Sequence, residues 1–175
     1  TLLEKFFEEG NLSEEKMREG LHRAIQDQVF IPVFCTTATQ NIGTARLMDF
    51  ISKYGSSPVD RATIQAENAN SGETIEVALD GSAPVVHVFK TISEAHVGEL
   101  SFFRVYSGVL KSGDIAFNTV TNKKERIGRI LQMHSNSRED ITEVRAGDIA
   151  AAIGLKQVTT GDTLCTPDSK ITLER

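Results

Sequence analysis

Hydrophobic and polar positions alternate most regularly within residues 96–133, and this stretch predicts several short β-strands. Phe102 and Val105 lie in one apolar run, which Ser-Gly and Ser-Gly-Asp turns separate from the next. Ile115 and Phe117 in that next run alternate with small or polar residues. Strands separated by turns about every 8–12 residues predict a small antiparallel barrel or sandwich.

The same alternation extends on both sides of this stretch and predicts further strands. The predicted strands cover residues 84–91, 99–106, 115–120, 125–133, 141–144, 148–155 and 163–165. Phe102 and Phe103 are adjacent on one strand, so their side chains must point to opposite faces. We therefore expect only one of the two rings to lie in the core.

The first part of the chain has helical rather than strand periodicity. Residues 2–9 predict a short helix, which Gly and Asn then end. Ser13 is a favourable N-cap for a second helix, whose apolar face includes Met17 and Leu21 and which is expected to end near Gln28.

An apolar run over residues 29–38 follows, and it predicts a strand buried on both faces, as in a parallel α/β sheet. Asn41 is then expected to cap a third helix that ends at Gly55, the predicted C′ residue, before Pro58. The order helix, helix, strand, helix is typical of the end of an α/β domain.

Composition changes after this helix, towards Ser, Asn, Gly and acidic residues. We interpret residues 58–82 as an extended linker, in which residues 74–79 are the one candidate strand. The predicted domains are therefore residues 1–57 and residues 83–175.

The chain has 175 residues and a formal net charge of −5, so no overall positive field indicates a nucleic-acid partner. Basic residues nevertheless outnumber acidic ones between residues 85 and 133. Cys35 and Cys165 each lie in an apolar run and are interpreted as buried free thiols. No apolar run is long enough to predict a membrane span, and no His or Cys spacing predicts a metal site.

Three sequence segments resemble a known family. HVGELSFFRVYSGVLKSGD, KKERIGRILQMHSNSREDITEVRAGDIAAAIGL and TGDTLC closely resemble the second domain of bacterial elongation factor G. That domain is the β-barrel that follows the GTPase domain in ribosomal translocases. The resemblance implies an α+β chain, in which the C-terminal tail of a P-loop GTPase α/β domain precedes a small antiparallel β-barrel.

The loop after the predicted strand at 29–38 resembles the last guanine-recognition motif of GTPases, usually written Ser-Ala-x. Thr37 replaces the Ser, Ala38 matches, and Thr39 takes the third position. The resemblance implies that backbone N–H groups of this loop contact guanine. The alternative is an ordinary turn between a strand and a helix.

Other GTPase motifs are absent from the sequence, including the phosphate-binding Gly-x-x-x-x-Gly-Lys-Ser/Thr loop, the magnesium Asp and Asn-Lys-x-Asp. Phosphoryl transfer requires a phosphate cradle and a metal ion. We therefore expect no catalysis and no bound cofactor in this chain alone, although the resemblance implies GTP and magnesium in a full-length parent.

Basic side chains of the predicted barrel are the candidates for contact with ribosomal RNA, because the family's barrel rests on it. These candidates are Lys90, His96, Arg104, Lys111, Lys123, Lys124, Arg126 and Arg129. Residues 123 and 124 are predicted at a hairpin tip, where long cations can reach phosphate. The alternative interpretation is a solvated hairpin end.

The resemblance implies a fragment of a translational GTPase that promotes ribosomal translocation, with the barrel coupling nucleotide state to ribosome contact. Its expected partners are ribosomal RNA and a small-subunit protein, and the fragment is expected to be a cytoplasmic monomer. Two alternatives remain open: a related translational GTPase, for release-factor recycling or ribosomal protection, and a stand-alone nucleic-acid-binding barrel.

Overall fold

The computed structural model describes residues 2–94, 98–135 and 137–173. The chain divides into two compact units, Thr1–Asp60 and Arg61–Arg175. Among the helices described, none is both long and apolar enough to cross a membrane.

The first unit is helical. Its helices are α1 (Leu2–Glu9), α2 (Glu14–Gln26) and α3 (Thr44–Tyr54), and a 3-10 turn follows at Pro58–Asp60. The predicted N-cap of α2 is confirmed, because the Ser13 side chain accepts a hydrogen bond from the Lys16 N–H at 3.3 Å. This helix ends at Gln26, slightly before the predicted Gln28.

Residues 29–38 do not form the predicted buried strand. Their one bridge in the structure joins Thr37 to Ile42, and Ile31 and Val33 are 80% and 87% exposed. A strand is buried on both faces only when neighbouring strands flank it, and the described residues of this unit supply none. For the same reason Cys35 is exposed, although an apolar run predicted it to be buried.

The ends of α3 differ in detail from the prediction. Gly43, not Asn41, is the N-cap, with φ of 81° and no side-chain hydrogen bond. A Cβ at Gly43 would lie 2.9 Å from the Cys35 carbonyl oxygen, so the close approach of these two segments requires glycine. Gly55 ends the helix as predicted, but as the C-cap with φ of −65° rather than as a left-handed C′ residue.

The second unit is a β-structure, with thirteen short strands among the residues described. They are β1 (Thr63–Asn68), β2 (Thr74–Ala78), β3 (Val85–Glu94), β4 (Gly98–Ser107), β5 (Val109–Lys111), β6 (Ile115–Asn118), β7 (Lys123–Arg126), β8 (Arg129–His134), β9 (Ser137–Ile141), β10 (Glu143–Arg145), β11 (Ile149–Ile153), β12 (Thr163–Cys165) and β13 (Ile171–Thr172). All their pairings are antiparallel.

The main sheet has eight strands in the order β7-β6-β12-β3-β4-β11-β8-β9, while β10 pairs with β5 separately. Its inner face holds one apolar core, to which nearly every strand contributes. Phe103 lies in this core and is 1% exposed, whereas Phe102 is half-buried on the outer face. The predicted opposition of these two rings is therefore confirmed.

The stretch expected to be a linker at residues 58–82 instead contains the β1–β2 hairpin, and β13 completes a three-stranded sheet with it. Alternating apolar residues of this hairpin, such as Ala66 and Val77, pack with Val85 of the main sheet. The Ser107 hydroxyl donates to the Ala78 carbonyl at 2.7 Å and fastens the hairpin to β4.

The strand predicted at 125–133 is divided into β7 and β8. The break occurs because Ile127 exchanges hydrogen bonds with the turn after β5: its N–H donates to Asp114, and its carbonyl accepts from Gly113, both at 2.8 Å. The Gly108 turn between β4 and β5 also fixes the path of the chain. A Cβ there would lie 2.6 Å from Ala83, and φ is 67°.

Few helices and a predominance of antiparallel β-structure confirm the predicted α+β class with a barrel-like second part.

Candidate nucleic-acid interface

A basic groove lies between strand β7 and the loop that follows β11. Its volume is about 490 Å³. It is lined by Lys123, Lys124, Glu125, Arg126, Gly154, Lys156 and Gln157. We call these residues the basic groove.

The β6–β7 hairpin positions one wall of the basic groove. Asn122 takes φ of 56° at the tip, and the chain then returns with Lys123 opposite Asn118 and Lys124 opposite Phe117. The two lysines therefore open strand β7 immediately after the tip, rather than forming the tip as predicted. All three cations of β7 are exposed.

Glu125 joins the two walls. It is 6% exposed, and its carboxylate accepts a hydrogen bond from the Lys156 backbone N–H at 3.3 Å. Strand alternation turns Glu125 inwards while its neighbours Lys124 and Arg126 face solvent. The carboxylate thus holds the second wall in place without occupying the exposed surface.

A buried polar network supports the same two segments. The fully buried Asn118 amide donates to the Asp162 carboxylate at 2.8 Å and to the Gln157 carbonyl at 3.2 Å. Its oxygen accepts from the N–H groups of Val120 and Thr121 at 3.0 and 3.2 Å. One side chain therefore fixes both the hairpin tip and the loop that carries Lys156.

The cations of the basic groove are available to an anionic ligand. Within the described part of the chain, none of Lys123, Lys124, Arg126 and Lys156 has an ion-pair partner. Four such cations around one open groove have the sign that a phosphate backbone requires, and side chains of Lys and Arg contact that backbone without reading base sequence.

The other candidate cations do not join this groove. Arg129 forms two hydrogen bonds with Asp140, at 2.8 and 2.7 Å. This pairing raises the pKa of Arg129 and lowers the pKa of Asp140. Because Arg129 already has a carboxylate partner, it has less to gain from a phosphate.

Two further candidates rest on aromatic rings of the outer sheet face. The Lys90 ammonium lies 5.4 Å from the centre of the Phe102 ring, and the Arg104 guanidinium lies 5.2 Å from the centre of the Tyr106 ring. Lys111 is exposed on β5, opposite Glu143. His96 lies outside the described residues.

Sequence reasoning missed Lys156 as a groove residue. It lies about thirty positions from β7, and no periodic pattern links the two segments. The one signal is Glu125, an acidic residue at an inward-facing position of a strand, which requires a buried donor. That donor is the Lys156 backbone.

The loop at residues 37–39 is an ordered turn in the first unit. The Thr37 hydroxyl accepts a hydrogen bond from the Gln40 N–H at 3.2 Å, so a Thr at this position provides a local hydrogen bond. Among the described residues, the N–H groups of Ala38 and Thr39 have no hydrogen-bond partner. Both residues are exposed, which leaves these N–H groups open to an acceptor.

No group of three or more metal-binding side chains occurs among the residues that the structure describes.

The fold and the groove together define a barrel-like domain with a phosphate-compatible surface. Residues 98–165 match the family described as elongation factor Tu domain 2, and they include most of the main sheet. This part of the chain is therefore similar to the second domain of translation elongation factors.

The whole chain also resembles a longer protein of known structure. A crystal structure of a protein from Thermus thermophilus superposes with a TM-score of 0.73 at 22% sequence identity. The match covers 99% of this chain and 24% of that one, so this chain spans about a quarter of the length of the protein it matches. At this identity the likeness supports the fold.

Proposed function

We propose that this chain is part of an elongation factor G-like translational GTPase, which promotes ribosomal translocation. It would comprise the end of the GTP-binding domain and the second-domain barrel. The barrel transmits the nucleotide state to the ribosome. The match of residues 98–165 to elongation factor Tu domain 2 supports the translation-factor part of this proposal.

The observation that carries the ribosome contact is the basic groove. Its four cations have no ion-pair partner within the described residues, and Glu125 fixes the two groove walls to each other. We therefore assign the phosphate backbone of ribosomal RNA to this groove. Arg129, Lys90 and Arg104 are secondary candidates, because each already interacts with another side chain.

The loop at residues 37–39 would provide one wall of a guanine site. The exposed N–H groups of Ala38 and Thr39 are suitable donors for the guanine oxygen, and Thr37 stabilises the turn. Binding and hydrolysis of GTP with magnesium would require the phosphate-binding segments of the parent protein, which acts in the cytoplasm in this proposal.

The apolar segment at residues 29–34 fits the same proposal. Val29, Ile31 and Val33 are each more than three-quarters exposed, at 77%, 80% and 87%. In the parent, the sheet of a GTP-binding domain would flank this segment and bury these side chains as a strand.

Charge reversal in the full-length parent tests the RNA contact. The triple variant Lys123→Glu, Lys124→Glu, Arg126→Glu should bind ribosomes more weakly in pelleting assays, because phosphate contacts would become repulsive. Thermal unfolding should change little, since exposed residues usually contribute less than about 0.5 kcal/mol each.

A matched control is available on the first unit. Lys5→Glu, Arg46→Glu and Lys53→Glu change the net charge equally at exposed positions that are not candidates for the RNA contact. Normal pelleting of the groove variant, or an equal loss in the control, would contradict the assignment to this groove.

A further inference from the structure

A second groove in Arg61–Arg175 lies beside strand β1 and the outer faces of β3 and β4. Its volume is about 570 Å³. It is lined by Arg61, Thr63, Ile64, Gln65, His87, Tyr106 and Leu173. We call it the His87 groove. It shares no residue with the basic groove.

Two buried nitrogens at this place have no hydrogen-bond partner in the described part of the chain. They are Nδ1 of His87 and Nε of Arg104, and these residues are direct partners across β3 and β4. The Nε of an arginine always carries a proton, so it is an obligatory donor. A buried donor without an acceptor costs stability.

Arg61 lines the His87 groove, and Arg104 lies next to His87 on the neighbouring strand, so two arginines place positive charge at or beside the groove. Arg61 is exposed at one end and has no ion-pair partner among the described residues. Arg104 is held over the ring of Tyr106, a lining residue, at 5.2 Å. Burial lowers the pKa of His87, although Asp162 opposes this effect, so the imidazole is neutral near pH 7 and its ring N–H can donate a hydrogen bond to an anion.

The other residues that line the His87 groove favour a ligand with an organic part over an inorganic ion. Ile64, Leu173 and the Tyr106 ring provide apolar surface, while Thr63 and Gln65 provide neutral hydrogen-bonding groups. A volume of about 570 Å³ is within the range of small-molecule sites and is far larger than one phosphate group.

We propose that the His87 groove binds a small organic phosphate. The phosphate group is held by Arg61 and His87, and Arg104 adds positive charge from the neighbouring strand. The organic body packs against Ile64, Leu173 and Tyr106. Two guanidinium groups favour a doubly charged phosphate over a single carboxylate.

The test is an NMR titration of the chain with inorganic phosphate and with adenosine monophosphate, each compared with sodium chloride at equal ionic strength. Saturable shifts of the His87 and Tyr106 ring signals are expected for both phosphates. Adenosine monophosphate should bind about tenfold more tightly, since burying apolar surface of its body adds affinity. Equal affinities would overturn the role of the apolar wall.

Arg61→Gln should weaken binding of both ligands about tenfold, which is the usual size for loss of one charge-assisted hydrogen bond. Arg145→Gln, at an exposed arginine that lines neither groove, is the matched control and should leave the affinity unchanged. The pKa of His87 should rise in the bound chain, because a nearby negative charge stabilises the imidazolium form.

Shifts that grow linearly with ligand concentration to about 20 mM would overturn the proposal, since a site of even millimolar affinity saturates there. Equal NMR shifts with sodium chloride and with phosphate would also overturn the proposal. Equal shifts in the Arg61→Gln variant and in the unsubstituted chain would overturn it as well. If Arg61→Gln is unfolded by circular dichroism, Arg61→Lys replaces it. The lysine keeps the positive charge but loses the forked geometry of the guanidinium group, so we expect an intermediate affinity. Unchanged affinity for both phosphates would contradict the role of the Arg61 fork.

Discussion

The two units of the chain differ in how completely their own residues bury apolar surface. No described residue in 2–60 is buried, and exposed side chains there include Phe7, Ile31 and Val33. Among the described residues of the second unit, fourteen form the main buried core. Helices form from local signals such as the Ser13 cap, whereas a central strand forms only when its neighbours are present.

The largest expected contrast between the units is in thiol reactivity. Cys35 is exposed, while Cys165 is buried and its burial raises the pKa of its thiol. A raised pKa leaves less thiolate at pH 8, and burial blocks access as well. Cys165 should therefore react with a disulfide reagent slower than Cys35 by a factor on the order of 10³.

The Cys35→Ser variant is the control, because its single thiol should stay unreactive until urea unfolds the second unit. Equal rates for both cysteines in the native chain would show that the second unit opens as freely as the first.

The core of the second unit should be most sensitive at Phe103. Phe103→Ala should lower the free energy of unfolding by about 3–5 kcal/mol, since it removes a ring that is buried in the core. Phe102→Ala on the outer face should cost clearly less. Urea melts measure both, and equal losses would mean that the register of β4 is different.

Substitution of Asn118 tests whether buried polar groups, as well as apolar ones, stabilise the second unit. Asn118→Ala leaves the N–H groups of Val120 and Thr121 without their acceptor and the Asp162 carboxylate without one donor. We expect a loss of about 2–3 kcal/mol in urea unfolding, because unsatisfied buried groups cost about 1–3 kcal/mol. A loss below about 0.5 kcal/mol would contradict a supporting role for this network.

The smallest change in the free energy of unfolding is expected for a substitution in the first unit. Val33→Asp should change the stability of this chain by less than about 0.5 kcal/mol, because the side chain is already in solvent. Val86→Asp makes the same substitution at a fully buried position and should prevent stable folding of the second unit. A large loss for Val33→Asp would mean that residues 29–34 are covered in solution.

Sequence patterns predicted those elements whose signals are local. The cap at Ser13, the alternation around Phe102 and Phe103 and the strand at Thr163–Cys165 needed no knowledge of distant residues. The prediction of a buried strand at residues 29–38 was wrong. An apolar run indicates that a strand could be buried, but it does not indicate that neighbouring strands are present to bury it.

The β1–β2 hairpin was not predicted from the sequence, for the opposite reason. Its apolar residues Ile64, Ala66, Ile75 and Val77 alternate as a strand requires, but polar residues surround them and make the composition resemble a linker. Alternation, rather than mean composition, was the informative signal.

The candidate site was predicted in part. Lys123, Lys124 and Arg126 were identified by their charge, but Lys156 is brought to them by Glu125 and the Asn118 network, which are contacts between distant segments. Arg129 had the same charge and was treated as equivalent, because its pairing with Asp140 depends on the register of β8 and β9.

The pairing of Arg129 with Asp140 changes how many counterions a nucleic acid would release when it binds this chain. The salt dependence of binding to nucleic acid counts the phosphates that a protein neutralises, at about 0.7–0.9 per contact in a logarithmic plot. The four cations of the basic groove, which have no ion-pair partner among the described residues, would give a slope of about −3 to −4. Arg129 is paired with Asp140 across β8 and β9, so it should add less to this count than a cation of the basic groove.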